Sequence, residues 1–281
     1  MYDVFAQVMA TSHGSFGVII LTILTVTAIF APIIAPYDPI ALTDDSLAPP
    51  SWTYLFGTDN LGHDIFSMVV YGARSSLIVG LSTALASLLL GGVMGMLAGY
   101  YRGVFETVLM RVAELFQTLP AIIIVLFLVS LFGSSFWLLL AAVALAIWPL
   151  QARLVYGQFI RLREADYVAA AIVAGLPVRH VILREMLPNA MQPIIVQVAL
   201  DASIAILIEA ALGYLGISDP NMVSWGQLLY EAQNFMSEAW WMSIFPGAAI
   251  CLAIVGLNMV ADGLNEAADP KSGSASRNFH D

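Results

Sequence analysis

The sequence predicts an all-α membrane protein with six transmembrane helices. Of its 281 residues, 60% are hydrophobic and 11% are charged, against roughly 25% charged in soluble domains. The apolar residues also gather into six runs, each near the ~20 residues that a helix needs to cross the hydrocarbon core. In lipid every backbone amide must be paired within its own segment, so such runs are read as helices.

The first run covers 16–35 and ends at Pro36. It is too long for a signal-peptide core and lacks a basic leader and a small-residue cleavage site, so it is read as an anchor. The second, 77–100, carries Gly91, Gly95 and Gly99 at steps of four, stacked on one face where a neighbouring backbone can come close. The third and fourth, 115–132 and 136–155, contain Pro120 and Pro149; each removes a helical hydrogen bond and predicts a kink. The fifth covers 193–215 and the sixth 241–261. The chain thus divides into an N-terminal part with the first span (1–36), a segment of 37–74, a transmembrane domain of 75–265 with a long loop at 156–192, and a tail of 266–281.

Six crossings put both termini on one side, and the basic residues decide which. Arg102, Arg111, Arg153, Arg161, Arg163, Arg179, Arg184, Lys271 and Arg277 fall on one side and only Arg74 on the other. The expectation is cytoplasmic termini, an extracytoplasmic 37–74 segment and an acidic outer face built from Asp38, Asp44, Asp45, Asp59, Asp64, Asp219, Glu231 and Glu238. Trp225, Trp240 and Trp241 fall where the outer interface is expected and are read as anchors.

The same counts exclude several functions. A formal net charge of −10 argues against a nucleic-acid partner. Cys251 is the one cysteine and is read as a small buried apolar residue; the four histidines, His13, His63, His180 and His280, lie outside the spans, so no metal or haem centre is expected. Lys271 is the one lysine and follows no glycine-rich loop, so the chain has no P-loop and is expected to bind no cofactor of its own.

The 156–192 loop reads as two short helices. Asp166 is placed to cap the first, Ala169, Ala170 and Ala171 give it a small-residue flank, and Gly175 suits the left-handed residue that ends it. Pro177 suits the first turn of the second, which Pro188 interrupts. In the fifth span Gln197, Asp201 and Glu209 form a polar stripe. Charged groups at membrane depth face a hydrated path or form hydrogen bonds between helices, and both readings stay open. Gln117, Trp148 and Asn258 are further candidates for lining a path.

The run from Tyr167 to Gly175, with Ala170, Ala171 and Gly175 followed at a fixed interval by Leu187 and Pro188, resembles the cytoplasmic EAA loop of bacterial ABC-importer permeases. Ala169 stands where that family has glutamate, and Glu185 where it usually has isoleucine. Gly57-Thr-Asp-Asn-Leu-Gly-His-Asp64, Tyr71-Gly-Ala-Arg-Ser-Ser-Leu77, Glu209-Ala-Ala-Leu-Gly-Tyr-Leu-Gly216, Ser224-Trp-Gly226, Phe245-Pro-Gly247, Asp262-Gly-Leu264 and Asp269-Pro270 are similar, in order, to segments of the dipeptide, oligopeptide and nickel class, and most to its second permease. The resemblance implies one anchor helix plus a five-helix permease core in the bacterial inner membrane. It implies a second permease subunit, two ATPase subunits that hold ATP and Mg, and an extracytoplasmic solute-binding protein. Asp166, Tyr167, Ala169, Ala170, Ala171, Gly175, Leu187 and Pro188 would then couple to the ATPase. Short peptides are the implied cargo, with nickel chelates, glutathione or opine-like solutes as alternatives. A secondary transporter would share the bundle but lack the docking loop.

Overall fold

The computed structural model describes residues 8–9, 11–219 and 222–268. Most of the expected tail, with Lys271, Arg277, His280 and the Asp269-Pro270 pair, lies outside the described residues. The helices are α1 (Ser12–Ile29), α2 (Ile65–Tyr101), α3 (Gly103–Gln117), α4 (Ala121–Phe132), α5 (Phe136–Arg163), α6 (Asp166–Val173), α7 (Val178–Tyr214), α8 (Trp225–Ala232) and α9 (Trp241–Ala268). Among the described residues there is no strand, only an isolated bridge between Thr58 and Asp64. Five helices, α1, α2, α5, α7 and α9, are long and apolar enough to span a membrane, with mean hydropathy of 1.7 to 2.1. The protein is an all-α membrane protein.

Helix starts follow local chemistry. The Thr11 hydroxyl accepts from the Gly14 N–H at 3.1 Å, and the Asp64 carboxylate from the Ser67 N–H at 2.8 Å, so each satisfies a first-turn amide that the helix leaves open. Ser135 and Ser224 do the same for α5 and α8. Capping by Asp64 starts α2 twelve residues before the apolar run at 77–100, which is why the helix reaches 37 residues.

The glycines of α2 set the central packing. A Cβ on Gly91 would lie 2.4 Å from the Trp148 carbonyl oxygen, one on Gly95 2.4 Å from that of Ala152, and one on Gly99 2.5 Å from the Phe159 Cβ. Three successive turns of α2 therefore meet successive turns of α5 at backbone distance, a separation no larger residue allows.

The third span departs from expectation. Pro120 does not kink one helix; it separates two, α3 and α4, whose axes differ by 84°. Proline disfavours helical backbone at the residue before it, here Leu119, and Thr118 already closes α3. At 1.5 Å per residue the twelve residues of α4 reach about 18 Å, short of the ~30 Å core, so α4 alone does not span it. Pro149 stays inside a continuous α5.

Pro188 also behaves differently from the expected interruption. The second loop helix and the fifth span are one element, α7, because a π-turn at Val181–Met186 precedes the proline. The Leu187 N–H bonds the Ile182 carbonyl five residues back, and the Asn189 amide donates to the Glu185 carbonyl at 2.7 Å. The wider turn and the side-chain donor absorb the proline's missing N–H.

At the end of the bundle opposite the arginine cluster, the 37–64 segment folds back on α9. Asp59 Oδ1 accepts from the N–H groups of Leu61 and His63, both at 2.8 Å, and Oδ2 lies 2.7 Å from His63 Nδ1. The Trp241 indole donates to the Thr58 carbonyl at 3.0 Å, and the Trp225 indole to that of Val69 at 2.9 Å. Both tryptophans are buried, so they are core residues and not the interface anchors expected; Trp240 is exposed. Cys251, expected to be buried, is exposed on α9.

Candidate functional site

Three groups of expected residues separate in space. The first is α6 and the turn after it, at the arginine-rich end. Arg102 pairs with Glu164, and Arg163 donates to the Tyr100 carbonyl while its guanidinium lies over the Tyr100 ring at 5.5 Å. These contacts tie the end of α5 to the end of α2 and so fix where α6 begins.

Ala165, not Asp166, takes the extended capping position, and no side chain caps α6. Asp166 is its first helical residue, where a negative charge still complements the helix dipole. Val168 and Ala171, three apart, turn inward against Val181, Ile182 and Met186. The exposed flank therefore holds Ala169 and Ala170 but not Ala171, which is buried because the inward face has room only for a small side chain. Tyr167, Ile172 and Val173 are exposed, Val173 at 88%.

Gly175 has φ +75°. Its N–H bonds the Ile172 carbonyl at 3.0 Å, and the Leu176 N–H bonds that of Ala171 at 3.2 Å, a Schellman ending that calls for glycine at this position. Leu187 packs against the same cluster as Val168, and Pro188 is exposed. The result is an apolar knob of Ile172, Val173 and Leu176 at the tip of the molecule, held by a buried base.

The second group lies on the open side of α3 and α5. Gln117 accepts from Arg153 Nη1 at 2.6 Å, Arg153 Nη2 lies 3.9 Å from a Glu114 carboxylate oxygen, and Arg111 pairs with Glu114 at 2.9 Å. The sequence counts Arg111 and Arg153 among the basic residues of one side and does not single out Glu114. Arg153 stands ten residues before the end of α5, about 15 Å up the helix. The signal was present: Glu114 follows Arg111 by three, the spacing of a helical ion pair. Trp148 is not on this open side; it is buried edge-on to Phe116, with ring centroids 5.7 Å apart.

The third group is interior. Asp201 is wholly buried, accepting from Ser87 of α2 at 3.2 Å and from Gln197 at 2.8 Å. Glu209, also buried, accepts from Ser76 of α2 at 3.1 Å and is hydrogen-bonded by the Ser224 side chain. Ser203 donates to Asn258 of α9 at 3.2 Å. The expected stripe exists, but its carboxylates point into the α2–α7 interface; Asp201 opens onto no surface, and Glu209 reaches only a small pocket that Ser75 and Ser224 also line. The Glu231 carboxyl, outside the spans, is pushed up by burial; Asp59's charge adds to this, while Gln227 and His63 oppose it. Among the described residues no group of three or more His, Cys, Asp or Glu could hold a metal ion.

Comparison with known proteins agrees with this architecture. The profile of the "binding-protein-dependent transport system inner membrane component" family matches residues 91–273, and that of the "N-terminal TM domain of oligopeptide transport permease C" matches residues 14–50. The dipeptide transport system permease protein DppC of Alkalihalophilus pseudofirmus is 38% identical over 96% of this chain and 89% of its own length. The di/tripeptide transport system permease protein DppC of Pseudomonas aeruginosa is 37% identical over 95% of this chain and 91% of its own. The probable D,D-dipeptide transport system permease protein DdpC of Escherichia coli is 34% identical over 91% and 86%. With an all-α bundle of five spanning helices and one bent pair, the anchor and the core both matched, and relatives covered nearly end to end, the chain belongs to the binding-protein-dependent ABC-importer permeases of the peptide class, in their C-type branch.

Proposed function

We propose that the chain forms half of the path by which short peptides enter a bacterial cell across the inner membrane, and that α6 with its following turn transmits the work of ATPase subunits to the bundle. A second permease completes the path, two ATPases holding ATP and Mg dock at the arginine-rich end, and a solute-binding protein delivers cargo to the other. In this reading the arginine-rich end and both termini are cytoplasmic, as nine cations against one favour.

The observation that carries the proposal is the knob of Ile172, Val173 and Leu176, exposed at the tip and rigid at its base. A monomer gains nothing by presenting three apolar side chains to water, and such a patch marks a contact with another protein. Tyr167, Ala169 and Ala170 border it, and Leu187 and Pro188 hold the helix behind it. On ATP binding, the push on α6 passes through Val168 and Ala171 to the foot of α7 and rocks the spans in alternating access.

The path is proposed along the open side of α3 to α5, where Gln117, Arg153 and Glu114 offer both charges to the ends of a zwitterionic peptide. Asp201, Gln197, Glu209, Asn258 and Trp148 stand behind it and hold the moving helices in register. Peptides are favoured over nickel chelates, glutathione or opine-like solutes because the relatives compared are dipeptide and di/tripeptide permeases.

The test is purification of the tagged chain from its own membrane in mild detergent, with identification of what accompanies it. A second permease, ATPase subunits and hydrolysis stimulated by a peptide-loaded binding protein are expected. A homo-oligomer without ATPase activity would favour secondary transport instead.

A further inference from the structure

Arg74 is the single arginine or lysine at its end of the bundle, and among the described residues no hydrogen bond or ion pair engages it. It stands, exposed, at the rim of a cavity of about 470 Å³ between α1, α2, α7 and α9. The walls below it are Leu21, Ile78, Leu81, Ile206 and Leu257, with Thr25 the one other polar side chain, and no acid among them.

Its depth is set by the helix. Arg74 lies within α2 and Arg102 closes it, 28 residues apart, about 42 Å at 1.5 Å per residue, close to the ~40–45 Å of a bilayer with its headgroups. With Arg102 at one surface, Arg74 lies at headgroup depth in the opposite leaflet, and the cavity runs below it into the hydrocarbon layer. A guanidinium at headgroup depth meets lipid phosphates, and its fork fits the two oxygens of a phosphate diester.

We propose that this groove is a binding site for one phospholipid of the leaflet on the acidic face, with its phosphate on Arg74 and an acyl chain along Ile78 and Leu81. The charge, the depth and the apolar walls agree on that occupant. A transmembrane helix is a poor fit: about 10–12 Å wide, it would need roughly three times the cavity volume over 20 Å of length. A lipid wedged there would add to the direct packing of the N-terminal anchor α1 on α9, where a Cβ on Gly17 would lie 2.7 Å from the Val260 nitrogen. The proposal depends on the chain's residence in a membrane and not on its cargo or coupling.

The test is native mass spectrometry of the purified complex titrated with dioleoyl phosphatidylglycerol. Arg74→Gln is expected to retain about tenfold less lipid in the tightest step, the worth of one charge-assisted bond, and Arg74→Lys to recover part of it. Ile78→Trp, which fills the groove and leaves the arginine in place, should lose the same step. A photoreactive side chain at position 78 should label lipid. Equal retention by wild type, Arg74→Gln and Ile78→Trp overturns the proposal, as does labelling of a protein subunit from position 78.

Discussion

Ser87 of α2 donates to the Asp201 carboxylate of α7 at 3.2 Å, and neither residue meets any surface of the chain. Eleven residues before Ser87 and eight after Asp201, Ser76 and Glu209 repeat the pair at 3.1 Å. Lipid offers no hydrophobic drive to bring two helices together, so small residues and polar bonds of this kind hold α7 on α2.

Asp201→Ala removes the acceptor for both Ser87 and Gln197 in a dry interface. The expected cost is about 1–2 kcal/mol, read as a lower melting temperature in detergent, with Asp201→Asn recovering most of it because an acceptor for Ser87 remains. An unchanged melting temperature in Asp201→Ala would contradict this.

Neighbouring glycines of α2 should respond in opposite ways. A Cβ on Gly95 meets the Ala152 carbonyl oxygen at 2.4 Å, whereas on Gly92 it meets only a Leu88 methyl at 3.4 Å. Gly95→Ala should part α2 from α5 and cost about 1–3 kcal/mol. Gly92→Ala should be neutral or gain up to about 1 kcal/mol from helix propensity. Thermal unfolding of the two variants side by side decides it; equal effects would contradict the packing described.

Gly175→Val places a β-branched residue at φ +75° in otherwise open space. The cost is about 1–2 kcal/mol, confined to the turn. The variant should reach the membrane in normal amount yet retain less ATPase on purification. Full retention would remove the turn from the docking surface.

For Glu231 the sign follows from its surroundings. Burial raises its folded pKa above the ordinary 4.5, so the folded state holds the proton more tightly than the unfolded one. That contribution is fully present below pH 4.5 and is lost as pH rises through the raised value. Glu231→Gln removes the dependence, so the variant should gain on wild type as pH increases. Melting temperatures across pH 4.5 to 8 check this, and a constant difference would contradict it.

What the sequence made legible was what period and composition control. The glycine ladder of α2, Gly175 at the end of α6 and the five long spans follow from local rules, whereas the kink expected at Pro149 gave way to a continuous α5. What escaped depends on partners distant in sequence. Asp201 and Glu209 signal their cost in a membrane, but only the serines of α2 say which way they face. Trp225 and Trp241 look like interface anchors until the backbone carbonyls of Val69 and Thr58 take their indole hydrogens. Pro120 promised a bend, and its size, 84°, came from Thr118 ending α3 just before it. Arg153 counted only toward the basic side because its partners, Gln117 and Glu114, lie on another helix.

The central claim is that the knob after α6 is where ATPase subunits bind. Cys251 is the chain's one cysteine, so Cys251→Ser gives a thiol-free background for Val173→Cys and, at the far end, Trp52→Cys, which is 97% exposed. A thiol-to-amine cross-linker applied to the intact complex in membranes should join position 173, and not position 52, to an ATPase subunit. Failure at 173 with cross-linking at 52 would place the ATPase at the opposite end and contradict the account.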